Sequence, residues 1–156
     1  MEFEVHVYRG NPAFFETKEA PYVPYDNVET YAESSFDYMT YSMPPEEKAF
    51  LEGFNFFVDY LLSEGDTYFL HEAKKAFAYA YKSLEESKYM LGLIRILEGK
   101  PSDAVRFFEA IKDFSFPLFV KYYRVPTLVV RKGERALYLT PSEEGVKEIL
   151  KILKGF

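Results

Sequence analysis

The first segment, Glu2-Phe3-Glu4-Val5-His6-Val7-Tyr8, alternates polar and apolar residues with Phe3, Val5 and Val7 on one side. That period of two predicts a half-buried strand, which stops at Gly10. Residues 11–45 carry Pro12, Pro21, Pro24, Pro44 and Pro45, which confines regular structure to a short helix between Asn27 and Met39. From Ser42 a cap, prolines and acids precede Phe50, Leu51, Phe54, Phe57, Val58, Leu61 and Leu62 at helical spacing, ending at Gly65-Asp66. Three more helices are predicted: through Leu70, Ala73, Phe77, Ala80 and Leu84; through Tyr89, Leu93, Ile94 and Leu97; and, opened by Pro101, through Ala104, Val105, Phe108 and Ile111. The period then changes. Thr127 to Val130 and Arg135 to Leu139 flank the turn Arg131-Lys132-Gly133-Glu134 and read as a hairpin. A capped helix follows, with Thr140, Pro141 and Glu143 at its start and Val146, Ile149, Leu150 and Leu153 as its buried stripe.

At 156 residues with 48% apolar and 19% aromatic content, the chain is expected to form one domain with a sizeable core. It has no cysteine, which removes disulfides, thiolate metal sites and thiol nucleophiles. No early basic and apolar leader and no run near the roughly 18 apolar residues of a membrane span are present, so a cytoplasmic location is expected, with no membrane partner. The absence of Gln, the three Asn and the 28% charged residues are the composition of a heat-adapted protein. Residues 1–73 hold three basic against fifteen acidic side chains, and residues 74–156 hold sixteen against ten. Either the two halves pack together and their fields cancel, or a basic face awaits an anionic partner.

Two stretches resemble known families. Tyr89-Met90-Leu91-Gly92 through Gly99-Lys100 to Ala104 and Phe108 resembles one tetratricopeptide unit, although a stable array needs about three. Lys121-Tyr122-Tyr123-Arg124-Val125-Pro126-Thr127-Leu128-Val129-Val130, with the Gly turn, second strand and terminal helix, is similar to the C-terminal half of thioredoxin-fold proteins. The helical block before it resembles the DsbA-like branch, and Asn11-Pro12-Ala13-Phe14 stands where that branch carries Cys-Pro-x-Cys and its kappa-class transferase and isomerase relatives carry Ser-Pro.

The thioredoxin resemblance implies a small sheet from residues 1–26 and 118–156 with residues 27–114 as a helical insertion, in one α/β or α+β domain. It also implies a cis Val125-Pro126 bond beside the Asn11-Pro12 loop. Its second strand, parallel to the first, has only Tyr22 to Asp26 to draw on. The alternative is a helical α+β domain that ends in the same hairpin and helix.

Candidate chemistry is sparse. Asn11 either orients a ligand or caps the turn that Pro12 begins. His6 shares the polar side of its strand with Glu2 and Glu4, a set suited to a metal or a proton relay, and equally to a solvated face. His71 lies outside its helix's apolar stripe and reads as a surface residue. Zinc spacings, phosphate loops and nucleophile elbows are absent, and no metal or cofactor is expected. Arg124, Arg131, Lys132 and Arg135 gather near Tyr122 and Tyr123, but a pI of about 5.1 argues against a dedicated nucleic-acid binder.

These features read as a non-catalytic, thioredoxin-like protein-interaction or peptide-binding module without thiol redox activity. Asn11, Pro12, Arg124, Val125 and Pro126 would form its binding surface. Phe54, Phe56, Phe57 and Tyr60 spread over more than one helix stripe, so they are expected at an interface with a protein partner or a second copy of the chain. The rival readings are a small isomerase or transferase with Asn11 or His6 at its site, and a tetratricopeptide-like scaffold. The purified protein should be inert in thiol-dependent insulin reduction and should melt above the roughly 45–65 °C of mesophile domains; scanning calorimetry and the turbidity assay check the two.

Overall fold

Four strands come together from the two ends of the chain: β1 (Glu2–Arg9), β2 (Lys18–Pro21), β3 (Arg124–Lys132) and β4 (Arg135–Leu139). The computed structural model describes residues 2–22 and 43–155. The strands form one sheet in the order β1-β3-β4-β2, every neighbour antiparallel. Six α-helices accompany it among the described residues: α1 (Pro45–Leu62), α2 (Thr67–Tyr79), α3 (Glu85–Leu97), α4 (Pro101–Glu109), α5 (Pro117–Lys121) and α6 (Glu143–Leu153). The fold is α+β. None of the described helices is long and apolar enough to cross a membrane.

Alternation along the strands sorts the side chains. Val5, Val7, Leu128, Val130 and Leu139 turn one way and join the helices in one core, where α3 is buried on almost every side. Tyr89 is its centre, with ring centroids of Phe108, Phe116 and Phe119 at 5.6, 5.6 and 5.7 Å. Gly92 allows α4 to close on α3, since a Cβ there would lie 2.6 Å from the Phe108 ring. This helical hairpin accounts for the single tetratricopeptide-like unit. Phe116 holds a left-handed φ of 43°, an uncommon conformation for a bulky residue, and the ring contacts with Tyr89 and Phe119 hold it there. Two carboxylates fasten the segment before α5 and the first turn of that helix. Glu85 accepts from the amides of Lys112 and Asp113, and buried Glu86 accepts from the Leu118 amide at 2.6 Å.

β1 lies antiparallel beside β3, with Phe3 opposite Val130 and Val5 opposite Leu128. One expectation fails: the Val125–Pro126 peptide bond is trans, with no cis bond among the described residues. Among the described residues the second strand is Lys18–Pro21, antiparallel to β4 at the far edge. It needs only four residues because β4 supplies the whole of its ladder. The helix predicted for 27–39, the Ser42 cap and residues 23–26 of the proposed strand lie outside the described residues. The helix predicted through Leu84 ends at Tyr79, and α5 was not foreseen.

The acidic and basic halves do pack together: Glu2 and Glu4 meet Arg131, Glu19 meets Arg135 and Glu47 meets Lys121. Each exposed pair adds little stability by itself, but together they offset the long-range repulsion within each half.

A proline in an inner strand needs explaining, since it removes a ladder donor. The Gly10 amide donates to the Tyr123 carbonyl at 2.9 Å, in register with the β1–β3 ladder. That bond sets the phase: odd residues of β3 turn their N–H and C=O toward β1, and even residues turn toward β4. β4 ends at Leu139, opposite Leu128, so the missing N–H of Pro126 faces a side with no strand. Its carbonyl accepts instead from the Tyr89 hydroxyl at 2.9 Å. Burial pushes the Tyr89 phenol far above its usual range, so it stays a donor. Tyr89→Phe should fold but lose about 1–3 kcal/mol, by orphaning a buried carbonyl. Urea melts with an unchanged slope and a lower midpoint check this.

Candidate binding site

The loop after β1 is built by local chemistry. The Asn11 Oδ1 accepts from the Ala13 amide at 2.9 Å, and Pro12 opens a 3₁₀ turn, Pro12–Phe14. Asn11 is therefore a cap, and its amide oxygen is committed to the turn. Gly10 has room for no side chain, since a Cβ would meet the Phe15 ring at 2.5 Å. That ring folds back toward Tyr8, centroid to centroid 6.2 Å. The Thr17 Oγ1 accepts from the Thr140 amide at 3.3 Å and leads the chain into β2.

The loop and the sheet face turned away from the described helices enclose a cavity of about 320 Å³. Tyr8, Phe15 and Tyr138 line it with rings, and the buried residues Thr127 and Thr140 line it beneath. Phe14 also lines it and is 81% exposed. Glu16 and Lys18, both exposed, give the rim one charge of each sign.

The sequence-predicted site residues meet at this end of the sheet, since β1 and β3 place Arg9 opposite Arg124 and α5 touches the 12–14 turn. They do not all form a surface. Val125 is fully buried opposite Tyr8, and Pro126 is buried with its carbonyl held by Tyr89. Neither is available to a docking peptide, because β3 begins before them and takes both into the sheet. The half-buried Arg124 donates through Nη1 to the Tyr122 carbonyl at 2.6 Å. Two of the predicted interface rings are likewise corrected: Phe54 and Phe57 are buried in the chain's own core, the first near Phe50 and Phe119. The wide apolar arc of α1 serves two neighbours, α2 and the ring cluster around α5. Phe56 and Tyr60 are half-buried.

His6 also departs from expectation. It is 7% exposed, not on a solvated face. Its Nδ1 lies 3.1 Å from the Tyr8 hydroxyl and its Nε2 3.2 Å from Glu4 Oε2. The same carboxylate accepts from the Tyr22 hydroxyl at 2.5 Å, and Arg131 stacks over the Tyr22 ring at 4.1 Å. Burial lowers the His6 pKa, and nearby Glu4 only partly offsets this. Among the described residues no group of three or more His, Asp or Glu is placed to hold a metal ion. The cavity residues Phe14, Phe15 and Tyr138 were missed by sequence reasoning; the one available signal was a Phe pair directly after a capped Asn-Pro.

The chain matches no protein-family model, no curated protein and no solved structure.

Because the fold disfavours protonated His6, the unfolded chain takes its proton first as the pH falls through about 6.5. Stability is therefore full above that pH and should decline from about pH 6.5 toward 5. Urea melts across this window should show the decline in the wild type, and His6→Asn should remove that part of it.

Proposed function

We propose that this chain is a non-catalytic binding module that takes a peptide in extended form, with one apolar side chain of the ligand entering the cavity beside the 12–14 turn. The observation that carries this reading is Phe14, a large ring left 81% exposed at a cavity already lined by three other rings. A ring held out in water by a capped turn is a ready anchor, and exposed aromatic side chains are where interface energy concentrates. Glu16 and Lys18 suit a ligand backbone or charged neighbours, while the rings supply apolar contact area. The resemblance to thioredoxin-like proteins supports the same place, since it assigns the working loop to the segment after the first strand. In this reading Asn11 and Pro12 shape the loop, and Val125 and Pro126 support it from within the sheet.

A second reading rests on a different observation. Tyr8 lines the cavity and is joined through His6 to Glu4, a chain of hydrogen bonds suited to moving a proton to or from a bound molecule. This is the small-enzyme alternative, centred on Tyr8 and His6, with Asn11 no longer part of it.

Titration of the full chain with short Gly/Ser peptides carrying one central Phe or Leu, followed by ¹⁵N–¹H spectra, tests the first reading. The amides of residues 13–20 and of Thr127 and Tyr138 should shift. Phe14→Ala should weaken binding about tenfold or more, the loss of one anchor ring, while Tyr8→Phe should change it little. Shifts confined to another surface, or none at about millimolar peptide, would overturn it.

A further inference from the structure

Tyr8, Thr127 and Tyr138 line the ring-walled cavity, and each commits its one hydroxyl proton inside the chain. Thr127 donates to the Val125 carbonyl and Tyr138 to the Pro21 carbonyl, both at 3.3 Å; a carbonyl only accepts, so both directions are fixed. The direction at Tyr8 follows from the proton on His6. Glu4 Oε2 accepts from the Tyr22 hydroxyl, and Arg131 Nη1 lies 3.4 Å from the other oxygen of the same carboxylate. His6 Nε2, 3.2 Å from this acceptor, therefore carries the ring's N–H. Burial keeps the imidazole neutral. Its Nδ1 then has only a lone pair, and the Tyr8 hydroxyl, 3.1 Å away, is the donor. A fourth lining hydroxyl, that of Thr140, lies 3.2 Å from the Thr17 hydroxyl and 3.4 Å from that of Ser142, either of which can take its proton.

Toward a ligand these hydroxyls are acceptors set among rings. A purely apolar side chain entering the cavity displaces water from their oxygens and returns no hydrogen bond. A hydroxyl-bearing one brings a lone pair for which the lining hydroxyls have no proton left. A cation gives up its water where the one lining carboxylate, Glu16, stands out at the exposed rim with Lys18. The group that fits is flat, apolar and donor-only, which describes an indole. Building on the peptide-binding reading above, we propose that the side chain entering the cavity is a tryptophan of a partner protein. Its ring packs among Phe14, Phe15 and Tyr138, and its N–H donates to the Tyr8 hydroxyl oxygen. A second copy of this chain cannot supply it, since the sequence contains no tryptophan.

Because the chain has no indole, the fluorescence of a bound one reports the test directly. A Gly/Ser peptide with one central Trp is titrated with the full chain at about pH 8, where His6 is neutral. Competition against it ranks the same peptide with central Lys, Phe or benzothienylalanine, the last an isostere in which sulfur replaces the indole N–H. The Trp peptide should bind about three- to tenfold more tightly than the benzothienyl one. Tyr8→Phe should erase that ratio while leaving the benzothienyl and Phe peptides unchanged. Should Tyr8→Phe fail to fold, the ratio in the wild type and the Lys peptide decide. Equal affinities for the Trp and benzothienyl peptides, a ratio that survives Tyr8→Phe, or a Lys peptide as tight as the Trp one overturns the proposal. In each of those cases Phe and Leu peptides that still shift the amides of residues 13–20 leave the peptide-binding reading standing. If no peptide binds at about millimolar concentration, both fall together.

Discussion

The Tyr89 hydroxyl must find an acceptor, because a phenol buried without one loses its hydrogen bonds to water and gets none in return. The carbonyl it reaches, that of Pro126, is free for it only because β4 stops at Leu139. Around this bond the molecule is assembled: the ring of Tyr89 organises Phe108, Phe116 and Phe119, while its oxygen ties the helical layer to the inner strand. With β3 so fixed, its start at Arg124 sets where β1 ends. That end places Gly10, the 12–14 turn and the cavity.

Both faces of the sheet and both of its edges therefore have distinct characters. One face is spent on the core. The other carries the Glu4–His6–Tyr8 chain and, at one end, the ring-lined cavity. The β2 edge is four residues long and the β1 edge eight.

The helices were legible because their signals are local. Acids in the first turn and apolar residues at three- and four-residue spacing marked α1, α3, α4 and α6 within a few residues, with a first-turn proline at α1 and α4; at α6 the cap is Ser142 and not the expected Thr140, and Pro141 stands before it. The hairpin was legible for the same reason, with Gly133 at φ +65° closing a two-residue loop. β2 and α5 were not, since Lys18–Pro21 has no strand pattern of its own and Pro117–Lys121 is held by the distant Glu86. The cap at Asn11 was foreseen; the burial of His6 was not, because alternation places a residue on a face without revealing what covers that face.

The sequence by itself determined the order and type of most elements and the absence of thiol chemistry. Each depends on composition or on a period within one segment. Only the tertiary structure decided that Val125 and Pro126 are sheet interior and not surface, that Phe54 and Phe57 are core, and that Phe14 is the ring left in water. Whether a residue is buried depends on how many other elements reach it. Phe54 and Phe56, two positions apart in one helix, differ only in their neighbours, which come from elsewhere in the chain.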